Sequence, residues 1–228
     1  MSAGILTGQL GRKLDAKDGI EQLTLLSDSG NARATISLAE ALYWGHGVAA
    51  DSVRAIEVLR RGAKLGLRPV TSKLISLYRD APGGKIKRSL KEARATLDAN
   101  KQQFSKEEYV REEILLEAAA ARNIAGYSKV KEKLSSLSSA SRLETLIALR
   151  SANPNVFVYV VQFELKKRGL FRGDSNGLLR ASTITAMNKL CSKSVSGERC
   201  RLGPFSYEAA RVISIMLESG LAPTAALE

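Results

Sequence analysis

The sequence predicts an all-α protein, and three observations support this fold class. Aromatic residues make up only 5% of the 228 residues, while Ala, Leu, Ser, Lys and Arg dominate, a mixture that favours helices over pleated strands. Apolar residues recur three and four positions apart, as they do on one face of a helix. A pattern of glycine, leucine and tyrosine also occurs twice, which indicates repeated helix pairs.

The first copy of the repeat extends from Gly30 to Gly66. After its first helix comes the turn Gly45-His46-Gly47-Val48, in which glycine permits positive φ. Asp51 is positioned to cap a second helix by accepting backbone N–H bonds. The residues predicted to pack between the two helices are Leu38, Ala41, Leu42 and Tyr43 on the first, and Ala55, Leu59 and Ala63 on the second.

A weaker second copy begins at Gly66, at an offset of 36 residues that drifts to 38 after its turn. Gly83-Gly84-Lys85-Ile86 is predicted to take the place of the first turn, and the capping aspartate has no counterpart. The matching apolar residues are Leu74, Leu77, Tyr78, Ala93 and Leu97. Because one helix pair cannot bury its own apolar face, we expect the pairs to stack.

The two copies resemble the Sel1-like repeat, a relative of the tetratricopeptide repeat. The match is strongest at Leu42-Tyr43 and at the Gly45-to-Asp51 turn. The resemblance implies a right-handed α-solenoid over residues 1–152, with extra helices at its end, that binds a protein partner on its concave face.

A second domain is predicted to begin at Asn153-Pro154, since proline disfavours helix at the residue before it. A helix from Val156 to Arg168 should end at Gly169, and Ser182 or Thr183 should cap the next helix. A Gly203-Pro204 turn and a final helix, from about residue 206 to residue 217, complete the prediction.

These residues resemble the peptidoglycan-binding-like fold of bacterial wall hydrolases and envelope proteins. The matching positions are Gln162, Leu165, Gly169, Phe171, Gly173, Asn176, Gly177, Thr183 and Ala186, with Asn176 in place of the usual Asp. The resemblance implies a three-helix module over residues 153–222, followed by a tail over residues 223–228. It also implies glycan contacts from Arg172, Asp174, Asn176, Arg180 and Thr183.

The positive charge is concentrated in one segment. Residues 52–106 carry 14 basic and four acidic side chains, whereas the whole chain has a net charge of +12. Such a surface attracts polyanions or an acidic protein, although a solvated helix face is the alternative. Nucleic acid is disfavoured because Tyr78 is the only aromatic residue for base stacking within the basic run from Arg54 to Arg94. The candidate binding residues are Arg54, Arg60, Arg61, Lys64, Arg68 and Lys73.

The two cysteines indicate the cellular compartment in which the protein is expected to reside. Cys191 and Cys200 are nine residues apart, too few ligands for a zinc site. A local disulfide in an oxidising compartment is favoured over two unlinked thiols. No signal peptide and no membrane-spanning run is visible. Leu227-Glu228 looks like a vector-derived scar, so we expect that a leader or anchor has been removed from a periplasmic protein.

No catalytic constellation is recognisable in the sequence. His46 is the only histidine, and its place in the turn favours packing over catalysis. Glu107, Glu108, Glu112 and Glu113 are expected to form a solvated helix face, and no phosphate-binding glycine motif occurs. We therefore predict a protein that is not an enzyme and needs no metal or cofactor. The predicted function is a periplasmic adaptor in envelope or surface-polysaccharide assembly, and the alternative is a protein that binds peptidoglycan or an acidic exopolysaccharide.

Overall fold

The computed structural model describes residues 15–194, 197–203 and 205–218, and the regular secondary structure within these ranges is entirely helical. The prediction of an all-α fold is confirmed. Pro204 of the predicted turn and the predicted tail with its Leu227-Glu228 scar lie outside the described residues. No helix in the described ranges combines the length and the apolar character needed to cross a membrane.

Eleven α-helices are present in the described ranges. They are α1 (Ala16–Asp28), α2 (Ala32–Trp44), α3 (Ser52–Lys64), α4 (Arg68–Asp80), α5 (Leu90–Ala99), α6 (Lys106–Ala120), α7 (Ile124–Leu134), α8 (Ser139–Ala152), α9 (Pro154–Lys167), α10 (Ala181–Cys191) and α11 (Tyr207–Glu218). Three short 3₁₀ segments, Pro82–Gly84, Lys101–Gln103 and Gly197–Leu202, lie between them.

The chain forms two compact units, and the division lies between Tyr109 and Val110. The domain boundary predicted at Asn153 falls inside the second unit. There, the Asn153 side chain accepts N–H bonds at the start of α9 and donates to the carbonyl oxygens of Ala118 and Ala121. Asn153 therefore connects the start of α9 with the end of α6 inside the second unit.

In the first unit each of the helices α1 to α5 packs on the next, and α2 also packs on α4. The predicted apolar residues of both repeat copies are buried, from Leu38 in α2 to Leu97 in α5. Asp51 caps α3 as predicted, by accepting from the Arg54 N–H at 2.9 Å. These helix pairs therefore follow from the apolar periodicity of the sequence.

The predicted alignment of the two turns is wrong by two residues. Ala81, with φ of 43°, occupies the left-handed position that Gly45 holds in the first copy. Each donates its N–H to the carbonyl four residues back, and Gly83 then matches Gly47 in positive φ. Ser89 caps α5 where the first copy uses Asp51, so the missing cap is supplied by a different residue type.

The second unit has one contiguous apolar core built around α9. Eight of the 14 residues of α9 are buried, which marks it as a central helix covered on most sides. Helices α7, α8 and α10 pack on it, and α11 packs on α8 and α10. The disulfide predicted between Cys191 and Cys200 is confirmed. It is compatible with an oxidising compartment.

One predicted helix cap in this unit is wrong. Helix α10 begins at Ala181, its N-cap residue is Arg180, and no side chain caps it. Thr183, which the sequence offered as a cap, lies one turn inside the helix and is fully buried. Its hydroxyl is held by Gln162 at 3.0 Å, so it serves the packing between α9 and α10.

Candidate functional site

A pocket of about 200 Å³ opens on the first unit between α2, α4 and the turn that follows α4. We call it the Trp44 pocket, and its lining includes Glu40, Tyr43, Trp44, Lys73, Leu77 and Pro82. A cavity of roughly 150 Å³ with apolar walls is large enough to bind benzene. The Trp44 pocket can therefore hold one large apolar side chain.

Helical periodicity explains why Trp44 reaches this pocket. The buried stripe of α2 includes Leu38 and Leu42, whereas Glu40 and Trp44 are four residues apart on the other side of the helix. Trp44 is 41% exposed, although it is the largest apolar side chain of the unit. The indole of Trp44 is therefore partly exposed on the side of α2 that faces away from the buried stripe.

Neighbouring side chains hold the indole ring of Trp44 in place. Tyr43 packs edge-on against it, with ring centroids 5.0 Å apart, and the Lys85 ammonium lies 5.7 Å from the ring centroid. Gly83 lies so close that an added Cβ would come within 2.8 Å of the indole. The glycine at this position therefore lets the turn approach the ring closely.

Tyr43 connects the pocket to the turn. Its hydroxyl donates a hydrogen bond of 2.7 Å to the carbonyl oxygen of Pro82, 39 residues further along the chain. Burial raises the pKa of Tyr43 above its ordinary value, so the phenol keeps the proton that this bond requires. The rim carries one ion pair, in which the Lys73 ammonium donates to the Glu40 carboxylate across α2 and α4.

The six basic residues predicted as a binding surface separate into two groups. Arg68 and Lys73 lie on α4, where they form ion pairs with Glu108 and Glu40. The other four project from α3 around a shallow depression of about 480 Å³, and we call them the α3 basic face: Arg54, Arg60, Arg61 and Lys64. All four are exposed, and Glu57 lies among them.

In the second unit the predicted glycan-binding loop is organised from within by Gln162, a buried side chain on α9. Its amide oxygen accepts from the backbone N–H groups of Asn176 and Gly177, each at 2.9 Å. Its amide nitrogen donates to the Leu178 carbonyl and to the Thr183 hydroxyl, each at 3.0 Å. All the hydrogen-bonding capacity of this amide is therefore used inside the protein.

The five predicted glycan-binding residues differ in accessibility. Arg172, Asp174 and Arg180 are exposed. Asn176 is half-buried, and its side-chain oxygen accepts from the Leu178 N–H at 2.9 Å, which stabilises the turn. Thr183 is fully buried. Three of the five side chains thus face solvent, and the other two support the loop.

A concavity of about 290 Å³ in the second unit is lined by five charged residues and five uncharged ones, and four of the charged residues form two ion pairs. The Arg142 guanidinium donates to Glu218 at 2.7 Å, and this hydrogen bond raises the pKa of Arg142. Lys167 pairs with Glu164 at 3.3 Å. These charges neutralise one another within the fold, in contrast to the exposed aromatic surface of the Trp44 pocket.

The described residues contain no group of three side chains of the types that usually hold a metal ion. His46 is exposed in its turn. The expectation of a fully solvated carboxylate face on α6 is wrong for Glu112, which is only 6% exposed. Helix α6 buries residues around much of its circumference, including Ile114, Leu115 and Leu116, so one of its carboxylates is covered.

The sequence prediction missed most of the Trp44 pocket. It included Lys73 but omitted Glu40, Trp44, Leu77 and Pro82 as site residues. The sequence does hold one signal, because the chain's only tryptophan falls outside the apolar stripe of its helix. Comparison with models of protein families, with curated proteins and with solved structures finds no match.

Proposed function

We propose that this chain is a non-catalytic adaptor that binds a protein partner through its first unit. The observation that supports the proposal is the Trp44 pocket, in which a partly exposed tryptophan is held by Tyr43 and Gly83. Tryptophan in a preformed pocket is typical of residues that dominate binding energy in protein interfaces. The non-catalytic role rests on the absence of a recognisable catalytic motif in the sequence.

The proposal includes an architecture and a location. We infer that the helix pairs form a Sel1-like right-handed α-solenoid, and that the second unit contains a peptidoglycan-binding-like module. The backbone bonds that recur 36 residues apart support the first inference. The Gln162 network supports the second, since it centres on residues of the resemblance. With the disulfide, these features favour a periplasmic adaptor in envelope or surface-polysaccharide assembly.

A second candidate function is the binding of peptidoglycan or an acidic exopolysaccharide. The observation that favours it is the exposure of charged residues on both units. These are Arg172, Asp174 and Arg180 in the second unit, and the α3 basic face in the first. Such binding would be electrostatic and would weaken as salt increases.

Site-specific photocross-linking in the native organism separates the two functions. A photoreactive phenylalanine analogue replaces Trp44 in one full-length variant and Arg172 in another. The adaptor function predicts a discrete, protease-sensitive adduct from position 44 and none from position 172. Adducts only from position 172, digested by a muramidase, would favour glycan binding instead. If neither position yields a protein adduct, the adaptor proposal fails.

A further inference from the structure

The size and lining of the Trp44 pocket limit what can enter it. Its volume of about 200 Å³ suits one side chain of the size of phenylalanine or leucine. Trp44, Leu77 and Pro82 supply apolar walls. An apolar side chain from a partner would therefore gain contact with these walls and would also cover the exposed part of the indole.

The charge around the pocket favours an acidic neighbour. Glu40 is the one carboxylate of the lining, and Lys73 already pairs with it. Lys85 stands over Trp44 and is exposed. The first unit, residues 1–109, carries 18 basic and 12 acidic side chains, a net charge of +6. A basic field of this kind steers acidic partners toward the surface.

We propose that the Trp44 pocket binds a short acidic segment of the partner protein. One phenylalanine or leucine of that segment enters the pocket, and a flanking carboxylate pairs with Lys85. This inference rests on the proposed adaptor function and specifies the chemistry of the partner. The α3 basic face does not offer the same recognition, because its depression is shallow and is lined by charged side chains with only Val58 as an apolar element.

Selection from a library of random dodecapeptides on the full chain tests the proposal. Peptides enriched on the wild-type chain should contain one large apolar residue flanked by Asp or Glu. Because Trp44 is the only tryptophan, its emission reports directly on the pocket. An enriched peptide should shift this emission to shorter wavelength, since the indole leaves water for an apolar contact.

Matched variants locate the binding, with affinity measured from the anisotropy of a labelled peptide. Trp44→Ala should weaken binding at least about tenfold, as expected for an anchor residue. Lys85→Glu should weaken it about fivefold, as expected for a charge at the rim of an interface. Lys91→Glu is the control, because Lys91 is an exposed cation of the same unit that does not line the pocket. It should leave the affinity within about twofold.

Several outcomes overturn the inference. The first is that no peptide is enriched, and the second is that the enriched peptides lack an acidic or a large apolar residue. The third is that Trp44→Ala binds with unchanged affinity while it keeps its helical circular dichroism. A Trp44 emission shift caused by polygalacturonate, or by concentration of the chain itself, would assign the pocket to a glycan or to a second copy. A cross-linked partner that binds Trp44→Ala normally would overturn this inference and leave the adaptor function in place.

Discussion

The two units differ in the loop that joins two consecutive helices: in one unit the loop bonds to a buried side chain, and in the other it lies beside a partly exposed one. In the second unit, the loop between α9 and α10 turns its backbone polar groups inward, where Gln162 binds Asn176, Gly177 and Leu178. In the first unit, the turn between α4 and α5 is also fixed, by the bond from Tyr43 to Pro82. The indole of Trp44 lies next to this turn and stays partly exposed.

The difference shows that residues which carry a resemblance to a binding module can be buried residues that shape a loop. Gln162, Gly177 and Thr183 carry much of the resemblance to peptidoglycan-binding modules, yet all three are buried. They determine the shape of the loop. In the first unit, the partly exposed Trp44 lies on the side of α2 opposite its buried stripe.

The largest expected effect tests the inward network. Gln162→Leu keeps the side-chain volume similar but removes the acceptor of the Asn176 and Gly177 N–H groups. The Leu178 carbonyl oxygen still accepts from the Arg180 N–H and from the Thr183 hydroxyl. We expect a loss of about 4 kcal/mol in the free energy of unfolding, since each of the two N–H groups left without a partner costs roughly 2 kcal/mol. Urea unfolding followed by circular dichroism measures it. Gln102→Leu, at an exposed position, is the control, and an equal effect in both variants would contradict the account.

The next effect concerns the backbone of the same loop. Gly177 has φ of 76°, and a Cβ there would come within 2.6 Å of the Asn155 carbonyl oxygen. Gly177→Ala should therefore cost about 3 kcal/mol, from left-handed strain plus the clash. Gly169→Ala is the matched control. Gly169 has φ of 68° but open space around it, so only about 1 kcal/mol is expected. Equal shifts in melting temperature for the two variants would contradict this expectation, because they would show that the backbone near Asn155 moves to relieve the clash.

The third effect, loss of the disulfide, is expected to destabilise only the second unit. Reduction of the Cys191–Cys200 disulfide should lower the stability of the second unit by about 2.5 kcal/mol, as expected for a short closed loop. Mass measurement after alkylation, with and without reductant, verifies the bond. Hydrogen exchange measured by mass spectrometry should then show faster exchange in α10 and unchanged exchange in α2. Faster exchange in both helices would contradict this prediction.

The smallest effect compares the two repeat copies. Ala81 adopts the left-handed conformation that Gly45 adopts in the first copy. Ala81→Gly should raise the free energy of unfolding by at most about 1 kcal/mol, because relief of strain exceeds the entropy that glycine adds to the unfolded chain. Gly45→Ala should lower it by a similar amount, since a Cβ there also meets Ala50 at 3.3 Å. Thermal unfolding measures both, and a destabilised Ala81→Gly would contradict this interpretation.

Much of the fold could be predicted from local patterns. The buried stripes at Leu38, Leu42 and Leu59, the Asp51 cap and the α9 helix all follow from periodicity and capping rules. The alignment of the second turn could not, because sequence rules reserve the left-handed position for glycine and Ala81 occupies it.

The candidate site was less predictable, because it depends on contacts between distant residues. Tyr43 and Pro82 are 39 positions apart, and no local pattern relates them. The six basic residues were chosen by charge alone, and ion pairs to Glu40 and Glu108 became visible only in the folded chain. Periodicity could have indicated only that Trp44 lies outside the buried stripe.

The central claim is that the Trp44 pocket receives the partner. The most direct measurement is Trp44 emission during titration of the full chain with the partner segment that cross-linking identifies. We expect a saturable shift to shorter wavelength, with the same midpoint as binding measured by anisotropy. Binding of that segment with unchanged Trp44 emission would contradict the claim.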